Sequence, residues 1–164
     1  MGSADPALNK AVHRAFQEAD VFLVLGKRID YRLALGGPRL FPAAAKFIQV
    51  DIHPQELGMN RDLEVGRCAD VKATLGAFRD ALGDESWPPA PWLERLRDLR
   101  SDWEAALAAT AADTSSPLHA AAVYFALKKL LPSAALYSWD GADFGHWGRA
   151  ILPALVPGDR KSVV

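Results

Sequence analysis

Three places in this sequence set charged side chains directly after a short apolar run, and chemistry is expected there. In residues 20–32, Asp-Val-Phe-Leu-Val-Leu-Gly-Lys-Arg-Ile-Asp-Tyr-Arg, the apolar run stops at Gly26 and gives way to Lys27, Arg28, Asp30 and Arg32. In residues 47–54, Phe-Ile-Gln-Val-Asp-Ile-His-Pro, β-formers run out into Asp51 and then a proline that blocks continuation. In residues 135–149, Ala-Leu-Tyr-Ser-Trp leads into Asp140, Gly141, Ala142 and Asp143. A strand that ends in glycine and charge puts bare backbone and polar groups at the carboxyl edge of a sheet, where open α/β folds bind ligands. An acid at the end of the second strand suits a hydrogen bond from ribose hydroxyls, so Asp51 is the candidate for that contact. It equally suits a strand-end cap, because no Gly-x-Gly-x-x-Gly follows the first strand.

Other chemistries find less support. His13, His53, His119 and His146 fall in four separate elements without the His-x-x-x-His spacing of a metal site. Gly-x-Ser-x-Gly is absent. Cys68, the only cysteine, excludes an intramolecular disulfide and a thiolate zinc cluster, and its place near a strand end suits packing more than reactivity. Residues 36–39, Gly-Gly-Pro-Arg, read as a mobile surface turn or a loop whose backbone approaches a phosphate. Trp87, Trp92 and Trp103 read as packing anchors of a long helix rather than a platform for bases, and residues 95–100 as a solvated helix face in which Glu94 and Asp98 pair with the arginines.

The elements that position these residues follow from spacing. Asp5-Pro6 reads as a cap and first turn of a helix ending near Glu18, with Leu8, Val12, Ala15, Phe16 and Ala19 on one face. Unbroken apolar residues 21–25 predict a strand buried on both faces, as in a parallel sheet. Residues 47–50 and 63–67 read as further strands, residues 55–60 as a single helical turn, and Asp70 as the cap of a helix that stops at Gly83. A proline-rich connector, a helix over residues 92–112, and a helix over 118–131 begun by a cap at residues 113–117 come next. A strand at 135–139, a loop at 140–149 and a polar tail close the chain. The fold class expected is α/β: a partial Rossmann-like parallel sheet with flanking helices over residues 1–83, a connector and linker helix over 84–115, and the helix, strand and loop opening a second α/β domain over 116–158, with a tail over 159–164.

With 50% hydrophobic residues and a formal net charge of −1, the composition favours neither nucleic acid nor a membrane surface as partner. The first residues lack the basic and apolar regions of an export signal and no apolar run suits a membrane span, so a cytoplasmic location is expected.

Taken together, these motifs resemble the thiamine-diphosphate-dependent enzymes of the acetolactate synthase, oxalyl-CoA decarboxylase and hydroxyacyl-CoA lyase group. The similarity covers residues 4–157, and two motifs carry it: Leu-Gly-Lys-Arg-Ile-Asp-Tyr-Arg at residues 25–32 and Ile-Gln-Val-Asp-Ile-His-Pro at residues 48–54. The resemblance implies a central Rossmann-like domain in which Gly26, Arg28, Asp30, Asp51 and Ile52 lie where the adenine nucleotide part of FAD, ADP or coenzyme A is held. Tyr31 stands where flavin-containing members commonly have an acid. It also implies that Asp140, Gly141, Ala142 and Asp143 open the diphosphate-binding domain, with Ala142 where a second glycine is usual. The family makes or breaks C–C bonds on 2-keto acid or acyl-CoA type substrates through a cofactor ylide, with Mg²⁺ anchoring the diphosphate, as homodimers or homotetramers. The Gly-Asp-Gly metal motif is absent from this sequence and the catalytic glutamate belongs to a domain that it does not contain. The reading is therefore an enzyme fragment, inactive alone, that can self-associate. The alternative is a free-standing adenine-nucleotide-binding or interaction module.

Overall fold

The computed structural model describes residue 5 and residues 7–139, 142–152 and 160–162, which divide into two units, residues 13–96 and residues 1–12 with 97–164. In the first unit β1 (Val21–Leu25), β2 (Lys46–Asp51) and β3 (Val65–Cys68) form a parallel sheet in the order β1-β2-β3. The expected strands and the Rossmann-like pattern are present. Helix α1 (Lys10–Glu18) delivers the chain to β1 almost without a linker. Its cap is Asn9, whose Oδ1 accepts from Val12 N at 3.0 Å, rather than Asp5, whose carboxylate instead accepts from Ala7 N in a preceding turn.

One face of this sheet holds an aromatic cluster. Phe22 stacks on Phe47 at 5.0 Å, and Phe41 meets Phe16, Phe22 and Phe47 at 5.4, 4.8 and 5.0 Å. Tilted and edge-on rings at these separations add to the burial of Phe41 and Phe47. The other face is only partly covered. Val50 is buried, but Val21 and Leu23 are 51% and 48% exposed, so β1 is not a strand buried on both sides. The unbroken apolar run predicts burial by composition, yet burial needs a neighbouring element to supply it. Helix α2 (Val71–Leu82) lies against β2, with Asp70 Oδ1 accepting from Ala73 N at its start and Gly83 at φ +54 ending it, as the sequence predicts.

The turn over residues 36–39 starts from a held glycine and ends on the exposed Pro38 and Arg39. Gly36 is buried at φ +70, and a Cβ there would lie 2.8 Å from Asn60 O, so backbone rather than phosphate makes the close approach. Arg61 holds it. Its Nη1 donates to Gly36 O at 3.1 Å, its Nη2 to Pro42 O, Ala43 O and Ala45 O at 2.8, 2.9 and 3.1 Å, and the guanidinium lies 4.8 Å from the Phe47 ring centre. A planar fork of donors suits this task and a lysine ammonium does not. Farther along, Arg95 pairs bidentately with Glu18 at 2.7 and 2.8 Å, and Arg14 approaches the same carboxylate at 2.6 Å. Long-range pairing, rather than Glu94 and Asp98, therefore engages the first arginine of the expected solvated run.

In the second unit, Leu8, Leu107 of α3 (Pro91–Ala112), Ala121 and Tyr124 of α4 (Ala120–Leu130), and Trp147, Ile151 and Leu152 form the core, with Trp103 packed against it. Trp87, by contrast, is 60% exposed rather than a buried anchor. The cap of α4 is His119, whose Nδ1 accepts from Ala121 N; the Asp113 carboxylate instead accepts from Ser115 N. Residues 140–149 are not a loop: helix α5 (Ala142–Ile151) occupies most of them. Its glycines mislead a sequence reading: Gly145 and Gly148 lie inside the helix and are buried, as is Trp147. Part of the expected tail is a strand, β5 (Arg160–Ser162), paired in parallel with β4 (Tyr137–Trp139). Arg-Lys-Ser has no apolar pattern to announce it.

Two outcomes follow. Arg61→Ala removes the guanidinium's hydrogen bonds to the partly buried Gly36 O and Ala45 O and should lower the unfolding free energy by about 2 kcal/mol, with Arg61→Lys recovering little of it, measured by urea denaturation. Arg95 and then Arg14, by hydrogen bonding to Glu18, pull its pKa from 4.5 down to about 2. A folded-state pKa below the unfolded one means that the stabilisation is complete above pH 4.5 and is lost as the pH falls toward 2. Glu18→Gln should flatten that part of a stability-against-pH curve.

Candidate functional site

The carboxyl ends of β1, β2 and β3 meet through backbone hydrogen bonds. Gly26 N donates to Val50 O at 2.8 Å and Ala69 N donates to Asp51 O at 3.0 Å. Gly26 and Asp51 therefore stand side by side at the tips of adjacent strands. Gly26 turns the chain at φ +59, and a Cβ there would lie 3.1 Å from Val71 Cγ2, so both its conformation and its space call for glycine. Asp51 is 5% exposed and its Oδ1 accepts from His53 N at 2.9 Å, which is the strand-end cap. Ile52 beside it is exposed. Cys68 is exposed as well, contrary to the packed thiol expected, because β3 is uncovered along its length; its Sγ lies 3.5 Å from Ile52 O.

The charged residues after Gly26 find partners locally. Lys27 Nζ donates to Asp30 Oδ2 at 3.1 Å and to Arg28 O at 2.9 Å, while Asp30 Oδ1 accepts from Arg32 N and so caps the turn over Tyr31–Gly36. Burial works to raise the pKa of Asp30, but the Lys27 ammonium and the Arg32 N–H together outweigh it and hold the carboxyl below its usual range. Arg28 Nε meets Glu56 Oε1 at 2.9 Å, which ties the segment after β1 to the turn after β2. Lys27 and Arg28 are thus each balanced by an acid. Asn60 Nδ2 donates to Ile29 O at 2.8 Å and adds a second tie.

Glu56, Asn60 and Gln49 are the residues that sequence reasoning missed. Gln49 is fully buried, with Oε1 accepting from Gly58 N at 3.1 Å and Nε2 without a partner among the described residues. A polar residue set inside the apolar run of residues 47–50 was its signal; Glu56 and Asn60 carried none, since their partners lie far away in sequence. A concavity of about 780 Å³ opens elsewhere, lined by Gly36, Gly37, Ala45, Asn60, Arg61 and Leu63, and not by Gly26, Arg28 or Asp51. In the other unit, Ala142 and Asp143 begin α5 directly after β4, while Asp140 and Gly141 lie outside the described residues. Among the described residues no three His, Cys, Asp or Glu side chains converge as a metal ion would require. Nor is any helix of the described residues long and apolar enough to cross a membrane.

Residues 1–78 match the family model described as the thiamine pyrophosphate enzyme central domain. Residues 1–78 thus belong to that central-domain family. It is 31% identical over 150 residues to 2-hydroxyacyl-CoA lyase 1 of Homo sapiens, a match that covers 90% of this chain and 26% of that protein. It is 30% identical over 152 residues to a probable acetolactate synthase of Mycobacterium bovis, covering 93% of this chain and 27% of the relative. Pyruvate oxidase of Lactiplantibacillus plantarum is 29% identical over 143 residues, 87% of this chain and 23% of its own length. The chain spans about a quarter of the length of these curated relatives. The parallel strands and the residues at their tips belong to the segment that the central-domain model matches.

The glycine at those tips gives a direct test. Gly26→Ala forces a methyl group against Val71 and a side chain into left-handed backbone, and should cost about 1 to 3 kcal/mol in chemical denaturation.

Proposed function

We propose that this chain is the later part of the central domain, joined to the opening of the diphosphate-binding domain, of an enzyme that forms or cleaves C–C bonds on 2-keto acid or acyl-CoA type substrates. What supports this reading is the adjacency of Gly26 and Asp51 at the tips of two parallel strands within a segment that matches the family's central domain. In this proposal residues 1–83 belong to the central domain, residues 84–115 link, and residues 116–158 open the diphosphate-binding domain. A cytoplasmic location and a homodimeric or homotetrameric parent enzyme complete it. The alternative of a free-standing binding module is not supported by the relatives found, which are enzymes.

In this reading the tips of β1 and β2 take the adenine nucleotide part of ADP, coenzyme A or FAD. Asp51, fixed by its hydrogen bond from His53 N, is the carboxylate for ribose hydroxyls, and Gly26 beside it carries no side chain. Arg28 meets Glu56 through Nε, so that carboxylate offsets the charge that an approaching phosphate would meet. Ile52 offers an exposed apolar side chain to the base.

Thiamine diphosphate, when bound, supplies a nucleophilic carbon for attack on a carbonyl. The described residues do not fit it by themselves: they contain no cluster of acids for the divalent ion that neutralises a diphosphate. By resemblance Asp140, Gly141, Ala142 and Asp143 belong to that site, and no catalytic step is assigned to them. The chain alone is therefore inactive.

Titration calorimetry with ADP, coenzyme A and FAD should detect binding of at least one. Asp51→Asn should weaken it by about ten-fold, the value of one lost charge-assisted hydrogen bond, and Glu56→Gln should strengthen it. Silence with all three ligands would refute the nucleotide site. Separately, purified chain supplied with thiamine diphosphate, Mg²⁺ and a 2-keto acid should show no turnover, and sustained turnover would refute the fragment reading.

A further inference from the structure

Phe47, Gln49 and Asp51 alternate onto one face of β2, and all three are buried. Gln49 Oε1 accepts from Gly58 N at 3.1 Å, while Nε2 has no partner among the described residues. The amide cannot be turned over to relieve this, because the Gly58 N–H is a donor and needs the oxygen. A buried N–H without an acceptor is costly, and methionine fills much the same space without that cost. Stability of the sheet therefore does not explain a glutamine here.

What the side chain holds is the end of a turn. Asp51 Oδ1 accepts from His53 N at 2.9 Å and Gln49 Oε1 from Gly58 N, so two side chains of β2 grip the turn over residues 53–58 at its two ends. Between these grips Glu56 N donates to His53 O at 3.0 Å and Leu57 N to Pro54 O at 3.2 Å. The turn carries Glu56, whose carboxylate meets Arg28 at 2.9 Å. Asn60 and Arg61 hydrogen-bond the chain beyond Gly58 to the β1–β2 connection. We propose that Gln49 is a positioning residue: it seats this turn on the end of β2 and so sets Glu56 against Arg28. Its effect on ligand affinity rests on the nucleotide reading of the strand tips, and its effect on the turn does not.

Gln49→Met keeps the bulk of the side chain and removes both polar amide atoms; Gly58 lies at the surface, so its N–H can turn to water. Amide hydrogen exchange followed by NMR should then quicken about ten-fold or more at Glu56 and Leu57, whose N–H groups bond within the turn. The amides of Gly26 and Ala69, which join the strand tips, should keep their rates, and the urea midpoint should not fall. A residue serving only the core gives the opposite pattern, a lowered midpoint with exchange raised across the sheet. That pattern, a variant that fails to fold, or unchanged exchange at Glu56 and Leu57 overturns the proposal. Calorimetry reads the same link from the ligand side. Gln49→Met should tighten ADP binding about three-fold, in the direction of Glu56→Gln, and the two substitutions should not add, since one acts through the other. An equal effect of Gln49→Met with and without Glu56→Gln overturns the route through Glu56. Silence of the unsubstituted chain toward ADP, coenzyme A and FAD defeats the nucleotide reading instead, and the exchange rates then decide the role of Gln49.

Discussion

The guanidinium of Arg61 sits over the Phe47 ring and donates to Gly36 O, Pro42 O, Ala43 O and Ala45 O. The long connection between β1 and β2 contains no regular helix that could satisfy those carbonyls, and a buried carbonyl without a donor is costly. One side chain thus stands in for secondary structure. The same connection holds Ala34 and Leu35 at φ 50, a conformation that side-chain-bearing residues avoid. Such backbone persists where surrounding contacts outweigh its cost, and Arg61 with Asn60 supplies those contacts.

From this constraint the geometry of the sheet tips follows. With the β1–β2 connection fixed, Ile29 and Phe41 are held in the core, Phe47 stays under its aromatic neighbours, and β2 keeps the register that sets Gly26 against Val50 and Asp51. The Arg28–Glu56 pair then ties the segments that leave the two strands.

Much of this architecture was legible in the sequence. The runs at residues 21–25 and 47–50 fixed two strands because consecutive β-formers ending at Gly26 and at Pro54 leave few other readings. Asp70 and Gly83 marked α2 because capping is a local interaction between neighbours in sequence. The misreadings share one physical origin, which is dependence on distant partners. Burial of Val21 and Leu23 requires an element beside β1, the pinning of Gly36 requires Arg61, and the strand at Arg160–Ser162 requires β4. Glycines in α5 read as a loop because their burial inside a helix shows only in the folded chain. At the candidate site, Gly26 and Asp51 were found by type and position, whereas Glu56 and Asn60, which reach back across many residues, were not.

Arg61 reaches backward over a separation of 16 to 25 residues to every carbonyl that it holds. The segment after β2 and the segment before it are consequently one cooperative unit: neither can open by itself without releasing the other. Fluctuations that admit solvent at Gly36 must also free Phe47 from its cation, so the local opening free energy there approaches that of the aromatic core rather than that of a surface loop. A kinked helical turn followed by irregular backbone is, in kinetic terms, among the late-opening parts of the molecule.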